Sequence, residues 1–143
     1  MLSINEITEI FKEKIPLVGN AMHIEVVSAD DKTVEMKIPM DGNANDKGTM
    51  FAGVSYSAMV VAGWCLAMNK AYASGFENPW AAIVDAKCNY KKAIREEAVV
   101  TAEFAEEATP VPGERNWLKI KAEIPGASTF EGVYAVGVKK PNA

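Results

Sequence analysis

The longest unusual pattern along the chain is an uncharged segment in its middle, residues 48–69. Its length approaches that of a membrane-spanning helix, but glycine, serine and threonine recur through it and Leu66 is its only leucine. Such a composition inserts poorly into lipid compared with a span rich in leucine, isoleucine and phenylalanine. The pattern therefore predicts a buried helix from about residue 53 to residue 74, enclosed by protein on nearly every side.

A shorter helix and a hairpin precede this segment. Ser3 followed by Glu6 forms a capping box, and apolar residues recur at helical spacing until Pro16 ends the pattern. Alternation of apolar and polar residues then predicts one strand over residues 22–26 and a second over 34–38, joined by a turn at two aspartates.

Four more strands are predicted after the long helix, at about residues 82–90, 98–106, 118–124 and 129–139. In the first of them one face is predicted to carry Ala82, Val84, Ala86, Cys88 and Tyr90, and the other Ile83, Asp85, Lys87 and Asn89. This order predicts a single α+β domain over residues 1–143, with a curved antiparallel sheet wrapped around the long helix. Because one sheet covers only one side of a helix, we expect at least a homodimer.

Composition narrows the classes of partner. The formal net charge is −4 and the pI is near 5.1, so there is no overall basic field to gather nucleic acid or an anionic membrane. Cys65 and Cys88 are far apart and no histidine lies near either, which predicts reduced thiols in the cytoplasm rather than a metal or redox site. Acidic residues interrupt the first turns, so we expect no signal peptide, and no sequence motif indicates a cofactor.

Two stretches carry a resemblance to a known family. The segment NANDKGTMFAGVSYSAMVVAGW spans residues 43–64, and IVDAKCNYKKAI spans residues 83–94. With the order of elements, they resemble the hotdog-fold thioesterase superfamily and, more narrowly, the thioesterase domain that some bacteria carry alone or behind an acetyltransferase domain. The resemblance covers residues 16–138. It implies a hotdog dimer, often paired into tetramers, with acyl sites at the subunit interface beside the start of the central helix.

Hydrolysis of a thioester needs hydrogen-bond donors to the carbonyl oxygen, a positioned water and a proton acceptor. The free N–H groups and the dipole at a helix N-terminus supply the first. Gly53 lets a thioester approach the backbone and Ala52 is too small to block it, although Gly53 can equally serve a tight loop-to-helix junction. Asn43 and Asn45 precede the helix, where their amides either orient water or thioester, or cap the loop.

Two carboxylates are candidates for the proton acceptor. Asp85 lies inside a predicted strand. One interpretation is that burial raises its pKa toward that of a useful base; the other is that its side chain is tethered to Lys87 or to the amides at a helix end. Asp46 is nearer the helix start, in a polar loop where a solvated role is the alternative. Better-known hotdog thioesterases carry an Asp or Glu about two turns into the central helix, and this chain has no carboxylate from Val54 to Asn69.

A compact basic patch follows the third predicted strand. Lys91, Lys92 and Arg95 form this patch, and their positive charges suit the phosphates of coenzyme A, although a solvated hairpin tip also carries charged residues. We expect substrate contacts from Phe51, Ala52, Ser55, Tyr56, Lys91, Lys92 and Arg95.

Other reaction classes lack their residues. The segment GVSYS at 53–57 has no second glycine of a nucleophile elbow, and the single histidine, His23, lies on a distant predicted strand. Two functions remain open on the sequence: hydrolysis of acyl-CoA or acyl-carrier-protein thioesters, and a non-catalytic hotdog module that binds or senses acyl-CoA.

Overall fold

The structure is a computed structural model that describes residues 1–138. Its elements in chain order are α1 (Ile4–Lys14), a π-helical turn (Leu17–Ala21), β1 (Glu25–Ala29), β2 (Thr33–Ile38), α2 (Ala52–Ala73), β3 (Pro79–Tyr90), β4 (Ala98–Phe104), β5 (Asn116–Ile124) and β6 (Ser128–Val138). The six strands form one antiparallel sheet in the order β1-β2-β4-β5-β6-β3. The predicted α+β architecture is confirmed, whereas the end of the sixth predicted strand, at Lys139, lies outside the described residues.

Helix α1 begins as the sequence predicts. The Ser3 hydroxyl accepts a hydrogen bond from the Glu6 N–H at 3.2 Å, and the Glu6 carboxylate accepts one from the Ser3 N–H at 3.1 Å. The apolar side of the helix buries Ile7 and Phe11 completely. The chain then makes the π-helical turn, which the sequence pattern did not predict, and β1 consequently starts at Glu25 rather than at residue 22.

Helix α2 is the centre of the fold. By length and composition it could cross a membrane, but 67% of its most apolar window is buried inside the domain. All six strands contact it. Helix α1 also covers part of it, and just before that helix the Leu2 N–H donates to Oδ1 of the buried Asn69 at 2.8 Å. The predicted core helix is confirmed, and α1 supplies some of the cover that the sequence assigned to a second subunit.

A glycine allows α2 and β6 to pack closely. Tyr134 is fully buried, and its hydroxyl donates to the Val60 carbonyl at 2.6 Å. A Cβ atom added at Gly63 would lie 2.7 Å from Cζ of this tyrosine, closer than carbon atoms approach in proteins. Gly63 therefore permits the contact that fixes α2 relative to the sheet.

Strand β3 departs from simple alternation. Ile83 pairs with Tyr134 and Asp85 pairs with Val133, so Val84 is an extra residue, a β-bulge. Ahead of the bulge Ile83 packs against the core, and beyond it the inward positions include Cys88 and Tyr90. The prediction that Ala82 and Val84 share one face with these two residues is therefore wrong. The predicted inward faces of β4 and β5 are confirmed, for example at Val100 and Ile120, which are fully buried.

Candidate active site

The N-terminus of α2 lacks a side-chain cap. Phe51 occupies the N-cap position, where its apolar ring accepts no hydrogen bond. Its carbonyl accepts the Val54 and Ser55 N–H groups at 2.9 and 3.4 Å. The N–H groups of Ala52 and Gly53 have no acceptor within residues 1–138. Two backbone donors at the positive end of a 22-residue helix are thus available to a ligand.

A pocket of about 370 Å³ opens at this end of the helix. Backbone hydrogen bonds hold its walls: the Met50 N–H donates to the Ile94 carbonyl at 2.7 Å, and the Lys91 N–H donates to the Ala127 carbonyl at 2.7 Å. The first bond brings the segment after β3 against the loop before α2, and the second joins that segment to the turn between β5 and β6. The lining includes five of the residues that the sequence singled out, namely Asn45, Ala52, Ser55, Lys91 and Lys92.

The two asparagines have structural partners. Asn43 is 3% exposed, and its amide donates to the carbonyls of Met22 and Pro39 at 2.9 and 2.8 Å. It therefore joins three chain segments and does not line the pocket. The Asn45 side chain accepts from the Lys47 N–H at 2.9 Å and donates to the Thr49 hydroxyl at 2.9 Å. The loop-capping interpretation thus describes the hydrogen bonds of both, while Asn45 also faces the pocket.

Gly53 serves the helix junction. A Cβ atom added there would lie 2.6 Å from Cε2 of Phe51, whose ring folds back over the start of the helix. Neither residue lines the pocket. The half-buried Tyr56 packs edge-on against Phe130, with the ring centroids 6.0 Å apart, and also lies outside the lining. Phe51 and Tyr56, two of the expected substrate contacts, are thus not part of this pocket in the single chain.

The expectation of a buried Asp85 is wrong for the described chain. Asp85 is exposed and lies on the face of the sheet turned away from α2, because it pairs with the outward-facing Val133 beyond the bulge. Asp46 is also exposed, but it directly follows Asn45, which lines the pocket. Within residues 1–138 no carboxylate side chain lines the pocket itself.

The basic patch is divided between two adjoining pockets. Lys91 and Lys92 line the first, and Arg95 lines a neighbouring pocket of about 360 Å³. The two pockets share Lys92, Ala93 and Ile94, and no residue of α2 lines the second, so they form one continuous surface leading away from the helix. Neither lysine forms an ion pair with a carboxylate in the described part of the chain.

Two lining residues were missed by the sequence analysis. Tyr90 is 53% exposed, and its hydroxyl donates to the Ala52 carbonyl at 3.2 Å. Partial desolvation of that hydroxyl, followed by its hydrogen bond with Cys88, raises the pKa of Tyr90 to about 12. Ser128 is 1% exposed, and its hydroxyl has no partner among residues 1–138. Tyr90 belongs to the second family-like stretch, but nothing in its spacing shows that it reaches the helix start.

Another concave region carries no comparable chemistry. A groove of about 330 Å³ crosses the outer face of β3–β6 and is lined by Lys87, Glu103, Lys121 and Glu131 among others. Its charges partly neutralise one another, as in the pair between Lys121 and Glu103 at 3.2 Å. No group of three His, Cys, Asp or Glu side chains in residues 1–138 could hold a metal ion. Burial raises the pKa of Cys65 to about 12, which makes its thiol a poor nucleophile at neutral pH.

Comparison with known proteins connects this arrangement to a family. Residues 4–136 match the model of the family described as Putative thioesterase (yiiD_Cterm). A putative thioesterase from Shewanella oneidensis aligns over 95% of this chain and 97% of its own, with 22% identity and a TM-score of 0.76. A thioesterase from Haemophilus influenzae aligns over 95% and 91%, with 12% identity and a TM-score of 0.73.

A protein of unknown function from Chlorobaculum tepidum aligns over 95% of this chain and 94% of its own, with 19% identity and a TM-score of 0.80. Identities this low show a shared fold and do not carry substrates across. Comparison with curated proteins finds none that matches the chain.

The family match covers nearly the whole chain and agrees with the six-stranded sheet around a long helix. The protein therefore belongs to this thioesterase family and is a thioester hydrolase with the hotdog fold.

Proposed function

We propose that the protein hydrolyses acyl-CoA thioesters at the N-terminus of α2, in a site completed at a homodimer interface. The supporting observation is the free N–H group of Ala52, which lines the pocket with Lys91 and Lys92, together with the free N–H group of Gly53, the next residue of the helix. The two N–H groups suit the carbonyl oxygen of a thioester, and the ammonium groups of the two lysines suit the phosphates of its carrier.

The reaction follows from these donors. The thioester oxygen accepts hydrogen bonds from the two N–H groups, and water attacks the carbonyl carbon to give a tetrahedral oxyanion. The helix dipole and the two donors stabilise that charge more than they stabilise the neutral carbonyl. Collapse of the intermediate breaks the C–S bond, and the leaving thiolate recovers the proton that the water gave up. The products are a carboxylic acid and free coenzyme A.

Asp46 is the carboxylate better placed to accept the proton of the water. It follows Asn45 directly, and consecutive Cα atoms are only about 3.8 Å apart, so its backbone lies at the rim of the pocket. Asp85 lies on the other face of the sheet. Within one protomer the geometry thus favours Asp46, and the role first expected for Asp85 would need a different arrangement of the strand.

The basic residues favour coenzyme A over an acyl-carrier protein as the carrier. The surface from Lys91 to Arg95 leads away from the helix start, in the direction that a pantetheine arm would leave the site. Coenzyme A ends in several phosphates, whereas a carrier protein presents one phosphodiester. Cations without carboxylate partners in the described chain are suited to bind the more highly charged carrier.

A homodimer is supported by the free edge of β3. This strand is 12 residues long and pairs on one side only, with β6. An unpaired edge is a template for a second strand, and three large side chains stand exposed on it, Trp80, Val84 and Tyr90. Trp64 of α2, whose indole N–H donates to the Ala81 carbonyl of β3, is only half-buried. A second copy seated along β3 would cover these groups, and we place this dimer, or a tetramer built from it, in the cytoplasm.

The first test is release of free thiol from a panel of acyl-CoA esters that differ in acyl length. We expect turnover by the wild-type protein, with kcat reduced about 10²- to 10⁴-fold in Asp46→Ala because a general base is lost. Asp85→Ala serves as the matched control and should retain turnover. Binding of acyl-CoA without turnover across the panel would instead support the non-catalytic module.

The second test concerns the carrier. Lys91→Glu combined with Lys92→Glu should raise KM for acyl-CoA by about tenfold or more, and leave KM for the matching acyl-pantetheine ester within about twofold. Lys12→Glu combined with Lys14→Glu on α1 makes the same change in net charge away from the pocket. An equal rise for both esters, or an equal effect of the control pair, would contradict the assignment of the patch.

A further inference from the structure

We infer that Tyr90 and Ser55 are positioning residues that hold the backbone donor of Gly53 ready for the oxyanion. The inference rests on the proposed function, because it assigns roles within the same site. It starts from covalent geometry: the carbonyl of Ala52 and the N–H of Gly53 belong to one planar peptide group. Whatever fixes the direction of that carbonyl also fixes the direction of that N–H.

Two side chains donate to the Ala52 carbonyl. The Tyr90 hydroxyl reaches it from the end of β3 at 3.2 Å, and the Ser55 hydroxyl reaches it from the next turn of α2 at 3.1 Å. The tyrosine is 38 residues away along the chain, so its bond ties the sheet to the first peptide of the helix. The peptide is thus held from two elements at once and cannot turn easily to follow a ligand.

The same bonds make the opposite end of the peptide a better donor. Hydrogen bonds accepted by a carbonyl polarise its peptide group, and chains of such bonds strengthen one another. A donor that is already oriented and polarised stabilises a developing negative charge without reorganising during the reaction. Tyr90 and Ser55 therefore act through Gly53 and need not touch the substrate.

A separate observation indicates that this pocket receives a ligand. Ser128 lines the same pocket, is nearly fully buried, and has a hydroxyl without a partner among residues 1–138. It pairs directly with Tyr90 in the register of β6 and β3. A buried hydroxyl without a partner is costly, and a polar group of a bound substrate would satisfy it.

Steady-state kinetics of Tyr90→Phe on acyl-CoA test the inference. We expect kcat about five- to tenfold lower with KM changed less than about twofold, because the lost bond matters mainly when charge develops on the oxygen. Ser55→Ala should act in the same direction, and the double variant should lower kcat further. Circular dichroism and the melting temperature check that each variant folds.

Ser57→Ala is the matched control. Its hydroxyl donates to the Gly53 carbonyl at 2.7 Å, one peptide further on. The N–H of that peptide belongs to Val54 and is already bonded to the Phe51 carbonyl at 2.9 Å. Removing the Ser57 hydroxyl takes away the same kind of bond from a peptide that offers no donor, so kcat should stay at the wild-type value.

The pH dependence separates positioning from proton transfer. Tyr90 keeps its proton at neutral pH, since partial desolvation of its hydroxyl raises its pKa to about 12. The ratio of wild-type to Tyr90→Phe kcat should therefore be constant between about pH 6 and pH 9. A ratio that varies across this range, a change in KM alone, or an equal loss in Ser57→Ala would overturn the inference and leave thioester hydrolysis intact. A wild-type protein without turnover on any thioester would overturn the proposed function and the inference together.

Discussion

Helix α1 begins with a complete capping box, whereas α2 begins without any capping side chain. In α1, Ser3 and Glu6 satisfy each other's backbone N–H groups. In α2, Phe51 stands where a capping residue would be, and the next two N–H groups have no acceptor in residues 1–138. Both ends obey the same rule, that the first turn of a helix has donors in need of partners.

The difference shows how each end is used. The cap of α1 lies at the surface and stabilises a helix whose other side is packed in the core. The start of α2 lies at a pocket, so its donors remain for a substrate, and the long buried helix behind it is held by packing against all six strands. A helix anchored in this way can do without a cap because tertiary contacts, rather than its own termini, stabilise it.

The largest expected effect comes from Ala52→Pro. Proline is favoured at the first position of a helix, and Phe51 before it has φ −60° and ψ 130°, a conformation that proline accepts in its predecessor. The substitution should therefore keep α2 but remove one of the two donors. We expect kcat to fall about 10²- to 10³-fold, as on removal of an oxyanion donor elsewhere, with little change in melting temperature.

Ile4→Pro is the equivalent change in α1. It also stands at the first helical position, after Ser3 with ψ 165°, and its N–H likewise has no acceptor in the described chain. Activity should remain near wild type, with a small loss of stability from the partly exposed isoleucine side chain. Retained activity in Ala52→Pro, or equal losses in the two variants, would contradict the functional difference between the helix ends.

An intermediate effect, on stability rather than activity, is expected from Ser3→Ala. Loss of an N-cap hydroxyl destabilises a protein by about 1 kcal/mol, which for a domain of this size lowers the melting temperature by roughly 2–5 °C. Urea unfolding and calorimetry measure this change, and kcat on acyl-CoA should be unaffected. A fall in kcat with an unchanged unfolding midpoint would reverse the roles assigned to the two ends.

The smallest effect concerns pH. Hydrogen bonds from the backbone and side chain of Ser3 lower the pKa of Glu6 below its ordinary value of 4.5. A carboxyl group with a lowered pKa adds stability above its unfolded-state pKa and loses that contribution as the pH falls through the folded-state value. The stability difference between wild type and Glu6→Gln, measured by urea unfolding, should therefore shrink on acidification. A difference that stays constant or grows would show that Glu6 does not act through its charge.

Much of the fold was predictable because its signals are local. The capping box of α1, the alternation that buries Leu118 and Ile120 in β5, and the uncharged stretch of α2 depend on residues a few positions apart. The faces assigned to Ala82 and Ile83 relative to the rest of β3 were wrong because a single extra residue, Val84, shifts the alternation in that strand. A bulge depends on the partner strand, and the sequence of β3 alone carries no sign of it.

For the site, the sequence by itself determined the loop and helix start that carry Asn45, Ala52 and Ser55, together with the two lysines. Only the tertiary structure decided that Tyr90 meets the Ala52 carbonyl and that Ser128 is buried beside the pocket. The physical reason is the range of the interactions. Helix and strand periodicity arises between neighbours in the chain, whereas a hydrogen bond between residues 38 positions apart exists only after β3 has docked against β6 and brought its end to the helix.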